Sequence, residues 1–321
     1  MSNTVICLKQ IFLKFECSMN RLKTLLWVAF FGICLLASSC AQQTQEKERK
    51  PIAEHVVLIG LDGWGAYSVP KAEMPTVKQM MADGAYTLEK RSVLPSSSAV
   101  NWASMFMGAG PELHGYTTWG SQTPELPSRV LNENGIFPTV FHLLREARPH
   151  AEIGCLHQWG GIKYVVDTLA LSYREQLQPE ELCSAAEKYI KEKQPDLLAV
   201  CFDEPDHVGH ASGHDTPEYY AKLKELDAYI ARIVQAVKDA GMADETIFIL
   251  TSDHGGINKG HGGKTMQEMQ TAFIVCGKGV KKGLEFHESM MQYDVAATIA
   301  YIFGLKQPQV WVGRPMVQVF E

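Results

Sequence analysis

What this 321-residue chain has little of already removes several classes of protein. Positive charge is not in excess, because 30 lysines and arginines stand against 36 acidic residues, leaving a net charge of −6. A nucleic-acid polymer is bound by neutralising phosphates on a basic surface, so no such binding is expected. Cysteines are few and unpatterned. Cys155, Cys201 and Cys276 lie in apolar strand-like runs, Cys183 lies on a helical pattern, and no C-x-x-C spacing occurs. The chain therefore gives no sign of a cysteine zinc site or a disulfide framework. No internal period repeats, so an array of repeats is not expected. With 46% hydrophobic and 21% charged residues, no disorder signature spans the chain, which can bury one sizeable core or at most two domains.

The N-terminus reads as a targeting segment. Arg21 and Lys23 precede an apolar run from Leu25 to Leu36, too short for a comfortable membrane span, and Ala37-Ser38-Ser39 then lead to Cys40. This resembles a bacterial lipoprotein signal with Met19 as a candidate true start, although the usual Leu lies one position early, at Leu36. An uncleaved signal anchor is the alternative. The expected organisation is a signal peptide over 1–39, a polar lipid-anchored tether over 40–53 and one metal-dependent catalytic domain over 54–321. Cys40 would carry the lipid, and the domain would face the periplasm or the cell surface of a bacterial envelope.

The body alternates strands and helices. Buried strands are expected at 55–61, 86–93, 151–156, 196–202, 247–251 and 271–276, with helices at 74–82, 139–148, 178–193, 216–240 and 293–303. That alternation predicts a doubly wound α/β sheet with helices on both faces. Sheets of this kind bind ligands beyond the carboxyl ends of their strands, and those ends here are rich in chemistry. The first strand runs into Asp62, and the second into a Ser-rich turn containing Ser98. The fourth leads to Asp206 and His210, and the fifth empties into Asp253 and His254, with His261 a little further on. Carboxylate oxygens mixed with imidazole nitrogens suit zinc. Two ions about 4 Å apart could hold the attacking and leaving oxygens of an in-line displacement. Taken singly, each group has a plainer reading: Ser96 to Ser98 as helix caps, and the Asp253-His254 pair as part of a solvated Gly-rich turn. His207 and His214 lie close by, and Gly209 with Gly213 argues against a helix spanning His210 and His214.

In their order, these motifs resemble the alkaline phosphatase superfamily from Val56 to Arg314, and within it the type I phosphodiesterase and nucleotide pyrophosphatase branch. The motifs are LIGLDG, the spacing Ser98, Asn101, Gly108, His114-Gly115, then DHVGH, TSDHGG and GHGG. The resemblance implies a three-layer sandwich with a mostly parallel central sheet. It implies two zinc ions, one on Asp206, His210 and His261, the other on Asp62, Asp253 and His254, with Ser98 as nucleophile bridging to the latter. The implied activity is hydrolysis of a small-molecule phosphoester, foremost a phosphodiester or pyrophosphate, through a covalent seryl-phosphate. A phosphomonoesterase, or a transferase of a phosphoryl or head group, is the alternative. Two departures bear on substrate: Ser98 is followed by Ala99 rather than an aromatic, and Trp119 stands where relatives place a phosphate-gripping Asn. Asn101, Thr118 and Trp119 are the candidate substrate contacts. The third-metal ligands of monoesterases and the sulfatase signature are not recognisable.

Overall fold

The computed structural model describes residues 49–321, so the signal segment, Cys40 and most of the tether lie outside the described residues. Strands run β1 (His55–Leu61), β2 (Gly84–Arg91), β3 (Ile153–His157), β4 (Tyr173–Gln176), β5 (Leu197–Phe202), β6 (Thr246–Thr251), β7 (Gln270–Gly277) and β8 (Leu284–Glu285). They form one sheet in the order β4-β3-β5-β1-β6-β7-β2-β8. Pairing is parallel except along β7, which is antiparallel to both β6 and β2. The α-helices are α1 (Pro75–Ala82), α2 (Ser98–Met107), α3 (Pro111–His114), α4 (Val140–Ala147), α5 (Pro179–Lys193), α6 (Asp206–Ser212), α7 (Pro217–Asp239), α8 (Met266–Met269) and α9 (Asp294–Ile302).

The β1 sequence HVVLIGL shows why the sheet is covered on both sides. Val56 and Leu58 point into one apolar core with Trp102, Phe106, Phe141 and Ile299, whereas Val57, Ile59 and Leu61 point into another with Leu182, Leu226, Ile230 and Leu250. Alternate residues of a strand face opposite sides, so a run apolar at every position needs helices on both. Helices α2, α4 and α9 cover the first face, and α1, α5 and α7 the second. This is the expected α/β sandwich. Cys155, Cys183, Cys201 and Cys276 are buried and unpaired.

Two local expectations need correcting and a third needs refining. Strands β4 and β8 went unread because one is the polar edge segment YREQ and the other has two residues, so neither carries an apolar pattern. The second strand begins at Gly84 and ends at Arg91, two residues before the expected 86–93 at each end. Gly84 can join it because it pairs with Cys276 where a Cβ would lie 2.1 Å from the Val275 carbonyl. Thirdly, Gly209 lies inside a helix, α6, although, as expected, no helix spans His210 and His214, because α6 stops before His214. Gly209 faces the His214 ring, which a Cβ would meet at 2.4 Å, and the helix stops at Gly213 with φ 110°. Packing outweighs a propensity cost of about 1 kcal/mol.

Residues 49–53, just ahead of the expected boundary at residue 54, pack against the body. The Arg49 guanidinium lies over the Tyr301 ring, Ile52 N donates to Ile302 O at 2.8 Å, and Ala53 is buried.

One glycine connects the core to the strand-end acids. A Cβ on Gly60 would lie 2.3 Å from Trp102 Cη2, and this close approach lets Trp102 Nε1 donate to Asp62 Oδ2 at 2.9 Å. Overpacking at such a contact costs about 1–3 kcal/mol. Gly60→Ala should therefore lower the urea unfolding free energy by about that amount, and an unchanged midpoint would show that the ring relaxes freely.

Candidate active site at the strand ends

The ends of β1, β5 and β6, together with the start of α2, bring the strand-end groups into one cleft. Asp62 follows β1 directly, and its own backbone carbonyl accepts from Asp206 N at 3.0 Å, which ties the β1 and β5 ends together. A side chain on Gly63 would collide with Asp206, 2.5 Å from Oδ1, and its φ of 70° also favours glycine. Gly63 N instead donates to Asp253 Oδ1 at 3.1 Å, so the β1 turn also orients the β6 carboxylate. Ser98 opens α2, with its Oγ 3.2 Å from His254 Nε2.

The three histidines share one arrangement. His254 Nδ1 lies 2.8 Å from Gly255 O, His210 Nδ1 2.9 Å from Lys259 O, and His261 Nδ1 3.1 Å from Ser96 O. A carbonyl can only accept, so each Nδ1 carries the hydrogen and each Nε2 is turned to the cleft as a lone pair or a second N–H. His254 Nε2 faces Asp253 Oδ2 at 3.1 Å and Asp62 Oδ1 at 3.4 Å. Asp206 Oδ2 faces His210 Nε2 at 3.0 Å and His261 Nε2 at 3.6 Å. Ligand atoms of Asp62, Asp253 and His254 lie within 4.8 Å of one another, as do those of Asp206, His254 and His261. His254 thus belongs to both clusters. His210 joins the second through Asp206 and is the most open of the set, its side chain 49% exposed.

Electrostatics makes the same demand. Burial, then the charges of Asp253 and Asp206, push Asp62 well above the usual carboxylate range, and burial with Asp206 does the same to Asp253. Burial would also raise Asp206, but His210, His254 and His261 beside it hold it well below its ordinary value. His210 is pushed up to about 9 by its hydrogen bond to Asp206, while burial and then His261 push His254 down to about 3. A neutral His254 therefore aims a lone pair at the carboxyl oxygens, so a proton on those oxygens or a cation must lie between them. Asp62 Oδ1, Asp206 Oδ1 and Asp253 Oδ2 are buried with no hydrogen-bond donor. Uncompensated buried charge of this kind typically costs about 3–5 kcal/mol. Oxygen and imidazole donors with these orphaned atoms fit divalent cations of the zinc kind.

Several supporting residues carried no sequence signal. Lys90 is fully buried under the β6 loop, with Nζ donating to Ser252 O at 2.9 Å and to Gln292 Oε1. Ser252 Oγ accepts from Trp64 N and donates to His254 O, which fixes the turn that bears Asp253 and His254. His214 was noted only as a neighbour. Its ring is walled by Gly209 and Gly256, where a Cβ would come within 2.3–2.4 Å, and its Nε2 lies 3.4 Å from Asp206 Oδ1. The two Asp206 oxygens therefore have different surroundings: Oδ2 faces His210 and His261, and Oδ1 faces His214.

The candidate substrate contacts fare differently. Asn101 does not reach the cleft: it is fully buried, its Oδ1 accepts from Val93 N, and its Nδ2 donates to the carbonyls of Val93, Pro95 and Ser97. It pins the turn that delivers Ser98. Thr118 turns its hydroxyl to Ser121 and Glu125 within its own loop. Trp119 is 67% exposed and walls a cavity of about 290 Å³ with Trp159, Gly161 and Tyr164, while its backbone carbonyl accepts from Ala99 N at 3.1 Å.

An α/β sandwich with this convergence of hydroxyl, carboxylates and imidazoles at its strand ends is an alkaline phosphatase-like fold carrying an enzyme-type site. Within that class, the sequence matches the type I phosphodiesterase / nucleotide pyrophosphatase family over residues 56–261, and the chain belongs to that family. It is 29% identical to the catalytic subunit of human GPI ethanolamine phosphate transferase 2 over 141 residues, 42% of this chain and 14% of that protein. It is 24% identical to murine bis(5'-adenosyl)-triphosphatase enpp4 over 220 residues, 63% of this chain and 47% of that one. The chain thus aligns with about half of that relative and a smaller part of the transferase. Murine ectonucleotide pyrophosphatase/phosphodiesterase 5 superposes with a TM-score of 0.69 at 14% identity, over 83% of this chain and all of that one.

If the cleft holds a divalent cation, His214→Ala is expected to weaken its binding by about 10–100-fold, the usual loss when a group beside a ligand is removed. Competition with a chromogenic chelator measures this. Unchanged affinity with reduced thermal stability would make the ring packing alone.

Proposed function

We propose that the protein is a two-zinc phosphodiesterase or pyrophosphatase acting through a covalent seryl-phosphate on Ser98. The observation that carries this reading is the position of Ser98 Oγ, 3.2 Å from His254 Nε2, the imidazole common to both ligand clusters. Asp62, Asp253 and His254 would hold one ion and Asp206, His210 and His261 the other. When bound, the ions supply positive charge to the phosphate and to the serine oxygen.

The chain's own groups do the rest. Helix α2 begins at Ser98, so its positive dipole end would face a phosphate bound at Ser98 Oγ. Asn101 keeps the turn rigid, so Ser98 needs little reordering on attack. Ser98 Oγ gives its proton to solvent and bonds to phosphorus while the bond to the leaving oxygen breaks, that oxygen departing as an alkoxide or taking a proton from solvent. Water then displaces Ser98 from phosphorus and restores the hydroxyl.

A second reading keeps the first half and changes the second. The similarity to a GPI ethanolamine phosphate transferase favours an alcohol acceptor in place of water. Product analysis with added alcohols separates the two, since a transferase yields a new ester and a hydrolase yields free phosphate monoester.

Ser98→Ala should abolish turnover of a bis-aryl phosphate with little loss of bound zinc, while Ser97→Ala stays active. Mono-aryl phosphate and aryl sulfate should be poorer substrates. An active Ser98→Ala would end the covalent reading. Trp119 offers a flat ring beside the nucleophile turn, and stacking of a base-like group contributes about 1–3 kcal/mol. Trp119→Ala should accordingly raise KM for bulky aromatic diesters by about 5- to 150-fold and leave dimethyl phosphate nearly unaffected. Equal losses on both would make Trp119 structural.

A further inference from the structure

A second set of donors lies outside the cleft, where α4 meets the loop that follows Trp119. His142 and Glu146 are one turn apart on α4 and share a face of it, and Glu133 reaches them from the loop. Donor atoms of the three lie within 4.8 Å of one another. The His142 side chain is only 5% exposed, with Nε2 3.4 Å from Glu133 Oε2 and 3.3 Å from Glu146 Oε2. On its other side, Nδ1 lies 3.4 Å from Asp167 Oδ2. No hydrogen bond fixes this buried imidazole among the described residues; carboxylate oxygens surround it. Nor, among those residues, does any lysine or arginine nitrogen come within 4 Å of the three carboxylates.

The surroundings are built rather than incidental. Asp167 is buried and accepts from Asn132 Nδ2 at 2.6 Å, from Asn134 Nδ2 at 3.0 and 3.1 Å, and from Leu169 N at 3.2 Å. Asn132 Oδ1 in turn accepts from the backbone N–H groups of Asn134 and Ile136. The short segment that bears Glu133 is thereby folded onto Asp167 before any ligand arrives. A carboxylate behind one imidazole nitrogen and open donors before the other is the order found around metal-ligating histidines, where the outer carboxylate fixes the tautomer and ring orientation.

We propose that Glu133, His142 and Glu146 form a divalent-metal site separate from the catalytic cleft. It takes an ion of the zinc or manganese class through His142 Nε2 and one oxygen from each glutamate, with water completing the shell. One imidazole with two carboxylates suits those ions, and a dication offsets charge that no basic side chain here neutralises. Bound there, the ion staples the loop to α4.

The test uses the full chain, stripped with chelator and titrated calorimetrically with Zn²⁺ and separately with Mn²⁺, alongside the E133Q/E146Q double variant. Both glutamates are exposed, at 66% and 60%, so the exchange leaves the core intact. The wild type should bind one equivalent more than the variant and gain a larger metal-induced rise in Tm, while both turn over an aryl diester equally. H142Q should lose the same equivalent. Equal stoichiometry and equal thermal shifts would overturn the site and leave His142 as an ion-pair partner of the three carboxylates. A difference of one equivalent in a protein whose cleft takes up no metal would sustain this site and sink the two-zinc reading instead.

Discussion

Three carboxylates buried at neighbouring strand ends, Asp62, Asp206 and Asp253, set the terms for everything around them. Like charges brought out of water raise one another's cost, as the upward displacement of Asp62 and Asp253 records. Folding tolerates such a cluster only with nearby positive charge. Protonated His210 beside Asp206 supplies part of it, whereas burial pushes the Lys90 ammonium beneath the β6 loop down to about 7. The orphaned oxygens on all three acids leave the remainder to cations.

The surrounding backbone is arranged to hold that unfavourable grouping. Three carbonyls, from Ser96, Gly255 and Lys259, each fix one imidazole with Nε2 inward. Gly63 lets Asp206 come within a distance that any side chain would block, and Gly209 with Gly256 encloses the ring of His214. Glycine here serves close approach between loops from different strands, which outweighs its entropic cost. Ser98 inherits the precision of this frame because its turn is pinned internally by Asn101 and through His261 to Ser96 O.

On the proposed reading, hydrolysis and group transfer need the same first displacement, so the proposed ligands and nucleophile would serve both equally. What would separate them is how the second acceptor is admitted, and that depends on the walls of the cleft, among them the exposed Trp119 on its loop.

The α/β class was legible in the sequence because β1, β5 and β6 each carry an unbroken apolar run, Val56–Leu61, Leu197–Phe202 and Ile247–Leu250, which only a sheet covered on both faces accommodates. The candidate ligands were legible because they directly follow those strands. Asn101 was misread as a substrate contact, since its four hydrogen bonds to its own turn leave no trace in residue spacing. No helix spans His210 and His214, as their glycines suggested, yet Gly209 itself sits in a helix because it answers to His214 in space rather than to helix propensity. His214, Lys90 and the His142 cluster were invisible for a common reason. A residue's chemistry there is set by partners dozens of positions away, such as Asp167 behind His142 or Ser252 above Lys90. Sequence alone determined which donors end which strands. Tertiary structure decided which oxygens go unpaired and which imidazole nitrogen faces them, because burial and direction exist only once distant segments have packed.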